Sequence, residues 1–543
     1  MATVIFNGEH LDAAIGESLF TVADRAAQGT EEIGSSCQRT GSCKECIVQI
    51  KHGNEALTPC SKEEAFLQPQ ADSESAVFRL ACQARIMTSD AVIVVETFKR
   101  RLEIAVSGRE APHGHDPWIE RSGDAVTCDG ERLAHHTGPI YGVAIDVGTT
   151  TVVLHAVDLE TAETVAIRAF ENPQKYGGSD VLHRISYDKL HPGQLHGSIL
   201  AHVNATLRGL PINRRGIFAV TVAGNPTMRD LFFGFDVQPI GQSPYISVTQ
   251  AEFLAGQRGS TAVRAEGRSL GLAVHPKACV YGLPLVSHHV GADIAAVLAT
   301  IPIESATEPF LVIDVGTNSE VAVGHRGRII CTSCPAGPAF EGGRLTCGMA
   351  ASDGAITALK RDGGTWNISA IGSGPPRGLC GSGLVDLLAE LVANDEMDRL
   401  GRFRNGDKSV AVCERSSLHF TQADASELAQ AKAANALGQM MLLRTFGIRA
   451  SQIGTYYLAG AFANNMNVAN AQQIGLLLSV AEDRIARIGN ASIEGAKAAL
   501  LSRSCRDRIE AMVRTIEHVE LEKEPDFFDR YVEALRFAPI EAG

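Results

Sequence analysis

Two short motifs combine aspartate, glycine and threonine in a spacing that suits the binding of phosphate groups. Residues 145–151 read Ile-Asp-Val-Gly-Thr-Thr-Thr, and residues 313–319 read Ile-Asp-Val-Gly-Thr-Asn-Ser. Glycine lets the backbone approach a phosphate, successive N–H groups cradle it, hydroxyls donate hydrogen bonds, and aspartate binds Mg²⁺ directly or through water. Apolar runs flank each motif, which predicts two strands joined by a tight turn. One copy would equally suit an ordinary hairpin, whereas two copies indicate a duplicated scaffold with facing turns.

Four cysteines near the amino terminus, Cys37, Cys43, Cys46 and Cys82, have the spacing of a metal centre. Their thiolates can complete the coordination of a 2Fe–2S cluster, and the glycines and serines around them let backbone N–H groups reach the sulfurs. A zinc site is the alternative, but zinc ribbons favour two separated C-x2-C pairs, and only Cys43 and Cys46 form one here. The spacing resembles that of 2Fe–2S ferredoxins of the β-grasp fold, and it is closer to the adrenodoxin-like pattern than to the plant-type one.

The elements around these motifs divide the chain into four predicted parts. With 543 residues, the chain is too long for one core. Residues 1–97 alternate strands with one amphipathic helix, expected over residues 17–28, and form a ferredoxin-like domain. Turn formers gather in residues 98–140, which we interpret as a linker or small connecting domain. Residues 141–308 and 309–543 each carry one phosphate motif near their start and form a first and a second lobe.

The composition is that of a folded protein with an acidic surface. Hydrophobic residues make up 45% and charged residues 20%, which provides ample material for cores and argues against disorder. The net charge of −13 disfavours nucleic-acid binding, because a duplex-binding surface needs clustered lysine and arginine. No segment approaches about 18 consecutive apolar residues, and the start lacks the basic region of a signal peptide. We therefore expect a cytoplasmic protein without a membrane role.

Three transitions from loop or strand to helix follow the first motif. A loop enters a helix with Ser179 or Asp180 near its N-cap. After the buried strand 217–222 comes a sharp turn, in which Asn225 either faces a ligand or only starts the next helix, and the sequence favours the second alternative. Residues 290–296 form the third transition.

The second lobe carries three glycine-rich loops. The first, residues 335–343, is too rich in glycine and proline for a regular element. The second, residues 378–383, precedes a helix with one apolar face, so its backbone donors suit a phosphate or a ribose. The third, residues 457–465, follows a strand and brings bare backbone against a flat ring. Each loop alone is a weak signal, but their order after the two phosphate turns is specific.

That order resembles the superfamily of acetate kinase, sugar kinases, Hsp70 and actin (ASKHA), in which two ribonuclease-H-like lobes hold Mg-ATP between them. With a 2Fe–2S domain in front, the pattern resembles the reductive activators of corrinoid enzymes over nearly the whole chain. The resemblance implies an α/β fold of duplicated lobes behind an α+β β-grasp ferredoxin domain. It also implies that ATP turnover drives one electron from the cluster to an inactive Co(II) corrinoid, which restores Co(I). Two residues depart from the family pattern: Ala463 stands where glycine is expected, and Cys334 stands where a small apolar or hydroxyl residue is expected.

The resemblance also assigns roles to individual residues. Those expected to bind Mg-ATP are Asp146, Gly148, Thr149, Thr150, Asp314, Gly316, Thr317, Asn318, Gly381, Ser382, Gly383, Gly460, Ala461 and Phe462. The four cysteines are expected to bind the cluster that carries the electron. Glu320 and Glu341 are candidates by residue type for positioning the attacking water, and the catalytic residue is left unassigned.

The expected partners are a corrinoid protein of a methyltransferase system and an upstream reductase as electron donor, and the chain itself is expected to form a homodimer. Because the chain has no D-x-H-x-x-G cobalamin signature, the corrinoid is placed on the partner protein. Two other classes of protein are the alternatives: a metabolite kinase with a fused redox sensor, and a chaperone-like or cytoskeletal ATPase with a structural cluster. Neither explains why a ferredoxin precedes the lobes.

Overall fold

The amino-terminal domain is built on one five-stranded sheet. The structure, a computed structural model, describes residues 1–25, 39–40, 46–67, 77–97, 108–109, 116–178, 180–343, 345–352, 354–362, 365–372, 375–404, 406, 408–413, 418–460 and 462–540. The strands of this sheet are β1 (Ala2–Phe6), β2 (Glu9–Ala13), β3 (Ile47–His52), β4 (Val77–Leu80) and β5 (Val92–Thr97). Their order is β2-β1-β5-β3-β4, with β1 and β5 parallel and the other neighbours antiparallel. Alternate residues of β1 and β5, such as Val4 and Val95, are fully buried, as the two-residue period of a strand requires.

A short helix packs against this sheet. Helix α1 (Leu19–Ala23) begins after Ser18, whose hydroxyl accepts a hydrogen bond from the Thr21 N–H at 3.1 Å. The helix starts two residues later than predicted, because Ser18 caps it. The predicted end of the helix at residue 28 lies outside the described residues.

The described part of the predicted linker forms a small sheet. Its strands are β6 (Ile119–Ser122), β7 (Ala125–Cys128) and β8 (Glu131–His135), in the order β6-β7-β8. Trp118, just before β6, is buried, and its indole N–H donates to the carbonyl oxygen of Ala499 at 3.1 Å. Val126 of β7 lies in the same hydrophobic core, so this sheet is packed onto the lobe that follows it.

The first lobe contains a six-stranded sheet covered by helices. Its strands are β9 (Tyr141–Val147), β10 (Thr151–Asp158), β11 (Thr164–Glu171), β12 (Ile217–Ala223), β13 (Val263–Glu266) and β14 (Cys279–Gly282). Its helices are α2 (Val181–Leu190), α3 (Gln194–Arg208), α4 (Pro226–Phe233), α5 (Val248–Leu254) and α6 (Ala292–Ala299). The strand order is β11-β10-β9-β12-β14-β13. The predicted N-cap at Asp180 is confirmed, since its carboxylate accepts from the His183 N–H.

The second lobe repeats this arrangement. Its strands are β15 (Phe310–Asp314), β16 (Ser319–His325), β17 (Arg328–Cys334), β18 (Ala355–Asp362), β19 (Thr365–Ala370), β20 (Gly378–Leu379), β21 (Ser409–Cys413), β22 (Leu418–Thr421), β23 (Thr455–Ala459), β24 (Ile485–Gly489) and β25 (Glu517–His518). Its helices are α7 (Gly381–Ala393), α8 (Gln422–Phe446), α9 (Val468–Gln473), α10 (Ala491–Leu501), α11 (Arg503–Val513) and α12 (Phe527–Ala534). The main sheet is ordered β24-β23-β15-β16-β17-β25. In both lobes a three-stranded antiparallel meander is followed by two strands parallel to its first strand, and the predicted duplication is confirmed.

The two lobes share a pair of tightly packed helices. Helix α10 follows β24 of the second lobe but packs on the first sheet, where the Thr221 hydroxyl donates to the Ala496 carbonyl oxygen at 2.8 Å. Gly495 of α10 lies so close to α6 that an added Cβ would be 2.0 Å from the Ala296 carbonyl oxygen. The core of the first lobe therefore includes residues from the carboxy-terminal part of the chain. None of the described helices combines the length and the apolar character needed to cross a membrane.

Replacing Gly495 with alanine is expected to destabilise the contact between α6 and α10. Overpacking costs about 1–3 kcal/mol, which exceeds the roughly 1 kcal/mol that alanine gains over glycine in helix propensity. Urea unfolding followed by circular dichroism should show a lower midpoint. Gly197→Ala in α3 is the matched control, because its added Cβ meets open space, and its midpoint should be unchanged or higher. Equal midpoints for the two variants would contradict the prediction.

Candidate functional site

The two predicted phosphate turns face each other across a cleft between the lobes. The hydroxyl oxygens of Thr150 and Thr317 lie 2.9 Å apart. Both hydroxyls also donate to the carboxylate of Glu341, and the distance from the Thr317 oxygen is 2.7 Å. Glu341 therefore joins the first turn to the second. Burial raises the pKa of Glu341, and the two hydroxyl donors oppose that shift.

Carboxyl groups from three elements line the floor of this cleft. Asp146 is the next-to-last residue of the central strand β9, Asp314 ends the corresponding strand β15, and Asp293 lies in the first turn of α6. Asp146 accepts a hydrogen bond from the Ser492 hydroxyl at 2.9 Å. Burial raises the pKa of Asp293 to about 7 and that of Asp314 to about 8, and the negative charges of the neighbouring carboxyls add to both shifts. Burial also raises the pKa of the adjacent Glu320.

Backbone hydrogen bonds hold Asp293 in place. The N–H groups of Ala292 and Asp293 donate to the carbonyl oxygen of Gly224, at 3.0 and 3.3 Å. This contact joins the start of α6 to the turn between β12 and α4. The favoured alternative for Asn225 is confirmed, since its carboxamide oxygen caps α4, and its amide nitrogen also donates to the Thr149 hydroxyl at 3.0 Å. The turn after β12 therefore positions both a floor carboxyl and a phosphate-turn hydroxyl.

The wall opposite the first turn is formed by glycine loops of the second lobe. Gly460 has φ +95°, and an added Cβ would lie 2.5 Å from the Val315 carbonyl oxygen, so only glycine fits at this position. Phe340 and Phe462 stack with ring centroids 5.8 Å apart. An added Cβ on Gly381 would lie 2.5 Å from the Phe462 ring, so this glycine leaves room for the aromatic pair. The wall thus combines apolar rings with exposed backbone.

The structure brings most of the predicted nucleotide residues together. The predicted residues that line the cleft are Asp146, Gly148, Thr149, Thr150, Asp314, Gly316, Thr317, Asn318, Gly381, Ser382, Gly460 and Phe462. Gly383 instead lies where α7 packs against β18. An added Cβ there would be 2.4 Å from the Ile356 carbonyl oxygen, so this glycine serves helix packing. Ala461 lies outside the described residues.

Several polar residues of the cleft lie outside the predicted set, among them Asn225, Asp293, Asn490 and Ser492. The first two occur at transitions that the sequence does mark, at the starts of α4 and α6. A polar residue directly after a buried strand was the available signal for both. Asn490 and Ser492 come from the start of α10, far along the chain, and no local pattern connects them with Asp146.

Two of the four predicted cluster cysteines meet in the ferredoxin domain. The sulfurs of Cys46 and Cys82 lie 3.3 Å apart, because Ile47 of β3 pairs with Leu80 of β4. Tetrahedral ligands at metal–sulfur distances of about 2.3 Å are separated by about 3.7 Å, so this pair suits one iron. The side-chain amide of Gln83 donates to the Cys82 sulfur at 3.4 Å. Cys37 and Cys43 lie outside the described residues.

A ferredoxin domain joined to two lobes of equal strand order, with a cleft of carboxyls and hydroxyls between them, defines an ASKHA-type protein with a fused iron–sulfur domain. Three family models match the chain: the 2Fe-2S iron-sulfur cluster binding domain over residues 4–87, the RACo middle region over residues 141–306, and the C-terminal ASKHA domain of RACo over residues 308–542. The chain belongs to the RACo family, and the predicted resemblance to reductive activators of corrinoid enzymes is confirmed.

Relatives with named activities support this assignment. The corrinoid activation enzyme RamQ of Eubacterium limosum is 32% identical over 425 residues, which cover 73% of this chain and 70% of RamQ. The reductase of Methanosarcina barkeri for the Co(II) methylated amine-specific corrinoid protein is 24% identical over 428 residues, which cover 72% of this chain and 76% of that protein. The solved structure of a reductive activator for corrinoid, iron-sulfur protein matches with a TM-score of 0.70 and 25% identity, and the match covers 99% of both chains.

Raising the pH from about 5 to 8 is expected to lower the stability of the ligand-free protein. The carboxyls of Asp293 and Asp314 titrate near 3.8 when unfolded, but have raised pKa values in the folded protein. Between the unfolded and folded values, the folded state binds more protons than the unfolded state. The free energy of unfolding therefore falls as the pH rises, by on the order of 1 kcal/mol per pH unit for each proton.

Urea unfolding at several pH values, without nucleotide or divalent cations, measures this slope. Asp314→Asn removes one of the titrating carboxyls, so its slope should be shallower than that of the unmodified chain. Asp483→Asn replaces an exposed aspartate and is the matched control, with an unchanged slope. A slope that Asp314→Asn leaves unchanged would show that this carboxyl does not titrate in the window.

Proposed function

We propose that this chain is an ATP-dependent reductive activator, which passes one electron from a 2Fe–2S cluster to a Co(II) corrinoid and regenerates Co(I) on a partner protein of a methyltransferase or demethylase system. The prediction of corrinoid activation is confirmed at the level of the family by its relatives. The observation that carries the proposal is the contact between the ferredoxin domain and the first lobe, where Phe66 packs edge-on against Tyr176 with ring centroids 5.4 Å apart. A cluster domain in contact with a nucleotide lobe is what coupled electron transfer requires.

The floor of the cleft has the groups needed to hold Mg-ATP. Its carboxyls repel each other and have raised pKa values, so they favour a ligand that brings positive charge. Mg²⁺ supplies that charge and prefers carboxylate and phosphate oxygens. We assign Asp146 and Asp314 to the metal, directly or through water. The hydroxyls of Thr149, Thr150 and Thr317 are assigned to the phosphates.

The second-lobe wall suits the rest of the nucleotide. Gly381 and Ser382 begin α7, and the first N–H groups of a helix have no partner within it. These donors are assigned to phosphate or ribose oxygens. The stacked rings of Phe340 and Phe462 offer an apolar surface for the adenine ring next to Gly460.

Glu341 is the residue that we assign to positioning the attacking water. Its carboxylate accepts from one hydroxyl of each phosphate turn, so it lies where both turns meet a terminal phosphate. A nucleotide that takes over those hydroxyls leaves the carboxylate with free acceptor positions for water. Glu320 suits this role less well, because it is buried and accepts from the Ser333 hydroxyl at 3.2 Å.

The cysteines carry the electron in this proposal. The short distance between the sulfurs of Cys46 and Cys82 assigns them to one iron, and Cys37 and Cys43 are then left for the other. An upstream reductase supplies the electron, and the protein acts in the cytoplasm as a homodimer. For one electron, each 59 mV of unfavourable potential costs about 1.4 kcal/mol. ATP offsets this cost only if the nucleotide state changes the relative affinity for the Co(II) and Co(I) forms of the partner.

Replacing Asp146 or Asp314 with alanine is expected to reduce ATP hydrolysis and corrinoid reduction by at least about 100-fold, because a metal-binding charge is lost from the site of phosphoryl transfer. The visible spectrum of the cluster should stay intact, since both residues lie in the cleft and not in the ferredoxin domain. Asp483→Ala, at an exposed position, should leave all three readouts unchanged. Cys46→Ser should also lose corrinoid reduction, but with the spectrum lost and ATP hydrolysis retained. Loss of the spectrum in the aspartate variants would contradict this division of roles.

Glu341→Gln is expected to lower the kcat of ATP hydrolysis by about 100-fold, because it removes the negative charge that orients and polarises water. The side-chain oxygen of glutamine still accepts from the two threonines, so the Kd for Mg-ATP should change less than about threefold. Steady-state hydrolysis and equilibrium nucleotide binding separate these effects. A normal kcat for Glu341→Gln, together with a large loss for Glu320→Gln, would move the role to Glu320.

A further inference from the structure

One segment of the first lobe contacts both the first phosphate turn and the ferredoxin domain. We call residues 171–187 the bridging segment; Ser179 within it lies outside the described residues. It contains the end of β11, a single 3₁₀ helix at Pro173–Gly177, and the first half of α2. None of its described residues lines the cleft between the lobes.

On one side, the bridging segment donates to three successive carbonyl oxygens of the first turn. The backbone N–H of Asn172 donates to the Thr150 carbonyl at 2.6 Å, and its side-chain amide donates to the Gly148 carbonyl at 2.8 Å. The guanidinium of Arg184 donates to the Thr149 carbonyl at 2.7 Å. The backbone of the turn is therefore held by Asn172 and Arg184, from behind the surface that faces the cleft.

Arg184 is an unusual group to bury in this position. Its side chain is 1% exposed, and burial lowers its pKa to about 10, so it remains charged at neutral pH. Within the described residues it forms no ion pair, and its other nitrogens contact the Gly178 carbonyl and the Met228 sulfur, each at 3.0 Å. Burying a cation without an ion pair is costly, and the negative charges of Asp180, Glu341 and Glu171 offset only part of that cost. When the turn holds phosphate, the attraction between the phosphate and the Arg184 cation directly behind the turn offsets part of that cost.

On its other side, the bridging segment holds the ferredoxin domain. The Tyr187 hydroxyl donates to the carbonyl oxygen of Phe66, and the Tyr176 ring packs edge-on against the Phe66 ring. The two tyrosine rings also pack edge-on against each other, with centroids 5.5 Å apart. Tyr176 is thereby part of the rim of the ferredoxin core.

We propose that the bridging segment couples nucleotide binding to docking of the ferredoxin domain, with Asn172 and Arg184 as positioning residues of the first turn and Tyr176 and Tyr187 as the docking surface. Arg184 and Tyr187 are three residues apart on α2 and share one helix face. A displacement of Arg184 at the first turn therefore also moves Tyr187 at the ferredoxin domain. The proposal rests on the proposed binding of ATP at the turn. Coupling between two binding events is reciprocal: docking strengthens nucleotide binding by the same factor by which nucleotide strengthens docking.

Hydrogen exchange on the full chain with its cluster, with and without a non-hydrolysable ATP analogue and Mg²⁺, tests the coupling. In the unmodified chain, the analogue should slow exchange both at the first turn, residues 146–151, and at residues 62–67 of the ferredoxin domain. Slowed exchange at the turn alone would overturn the coupling and leave the ATP site standing. If the turn itself is not protected, the ATP site is wrong and the coupling fails with it.

Two mild variants test the two ends of the bridging segment. Tyr187→Phe removes only the hydroxyl, and should weaken analogue binding about three- to tenfold and speed exchange at residues 62–67, with the visible spectrum intact. Tyr531→Phe removes the same hydroxyl from α12 and is the matched control.

Arg184→Lys keeps the positive charge but loses the planar set of guanidinium N–H donors. The analogue should therefore still slow exchange at the turn and no longer slow it at residues 62–67. Unchanged or tighter analogue binding in Tyr187→Phe would overturn the proposal. An analogue that still slows exchange at residues 62–67 in Arg184→Lys would overturn it as well.

Discussion

The crowding of like-charged carboxyls between two repeated turns is the constraint on which the rest of the structure depends. The shared strand order brings Asp146 and Asp314 to the ends of corresponding strands, and α6 adds Asp293 beside them. Carboxylates removed from water need a hydrogen bond, a proton or a cation. Ser492 supplies a hydrogen bond to Asp146, and burial raises the pKa of all three carboxyls, which favours their protonated forms while no cation is bound. Such a floor favours a metal-bound nucleotide over a free anion.

The lobes are joined in two physically different ways. At the base, α6 and α10 are in backbone contact at Gly495, and the residues around them are apolar and buried. At the mouth, the lobes meet through the hydroxyls of Thr150 and Thr317 on the carboxylate of Glu341. Each polar contact of this kind contributes only about 0.5–1.5 kcal/mol, and a ligand can replace it. The contact at the base is therefore the more rigid of the two, and on the proposed function the mouth is where a bound phosphate would change the contact between the lobes.

Contiguous features of the site were predictable from the sequence, and features assembled from distant segments were not. Each turn motif contains its own strand end, glycine and hydroxyls, so both were found. For Asn225 the sequence favours the helix start over contact with a ligand, because capping already explains its residue type, and its second bond to Thr149 adds no sequence signal. Gly383 was assigned to the nucleotide from its glycine loop, although its lack of a side chain serves packing against Ile356. The placement of α10 on the first sheet depends on tertiary packing that an apolar pattern does not specify.

The two copies of the turn have the same scaffold and different attachments. The carbonyl oxygens of the first turn accept from Asn172 and Arg184, which lie in the segment that holds the ferredoxin domain. In the second turn, the Thr317 carbonyl accepts from the Gly337 N–H at 2.8 Å, in the loop that leads to Glu341. Duplication supplied two equivalent turns, and the loops behind them attach each turn to a different part of the protein. On the proposed function, the first turn connects nucleotide to the cluster, and the second connects nucleotide to the residue that positions water.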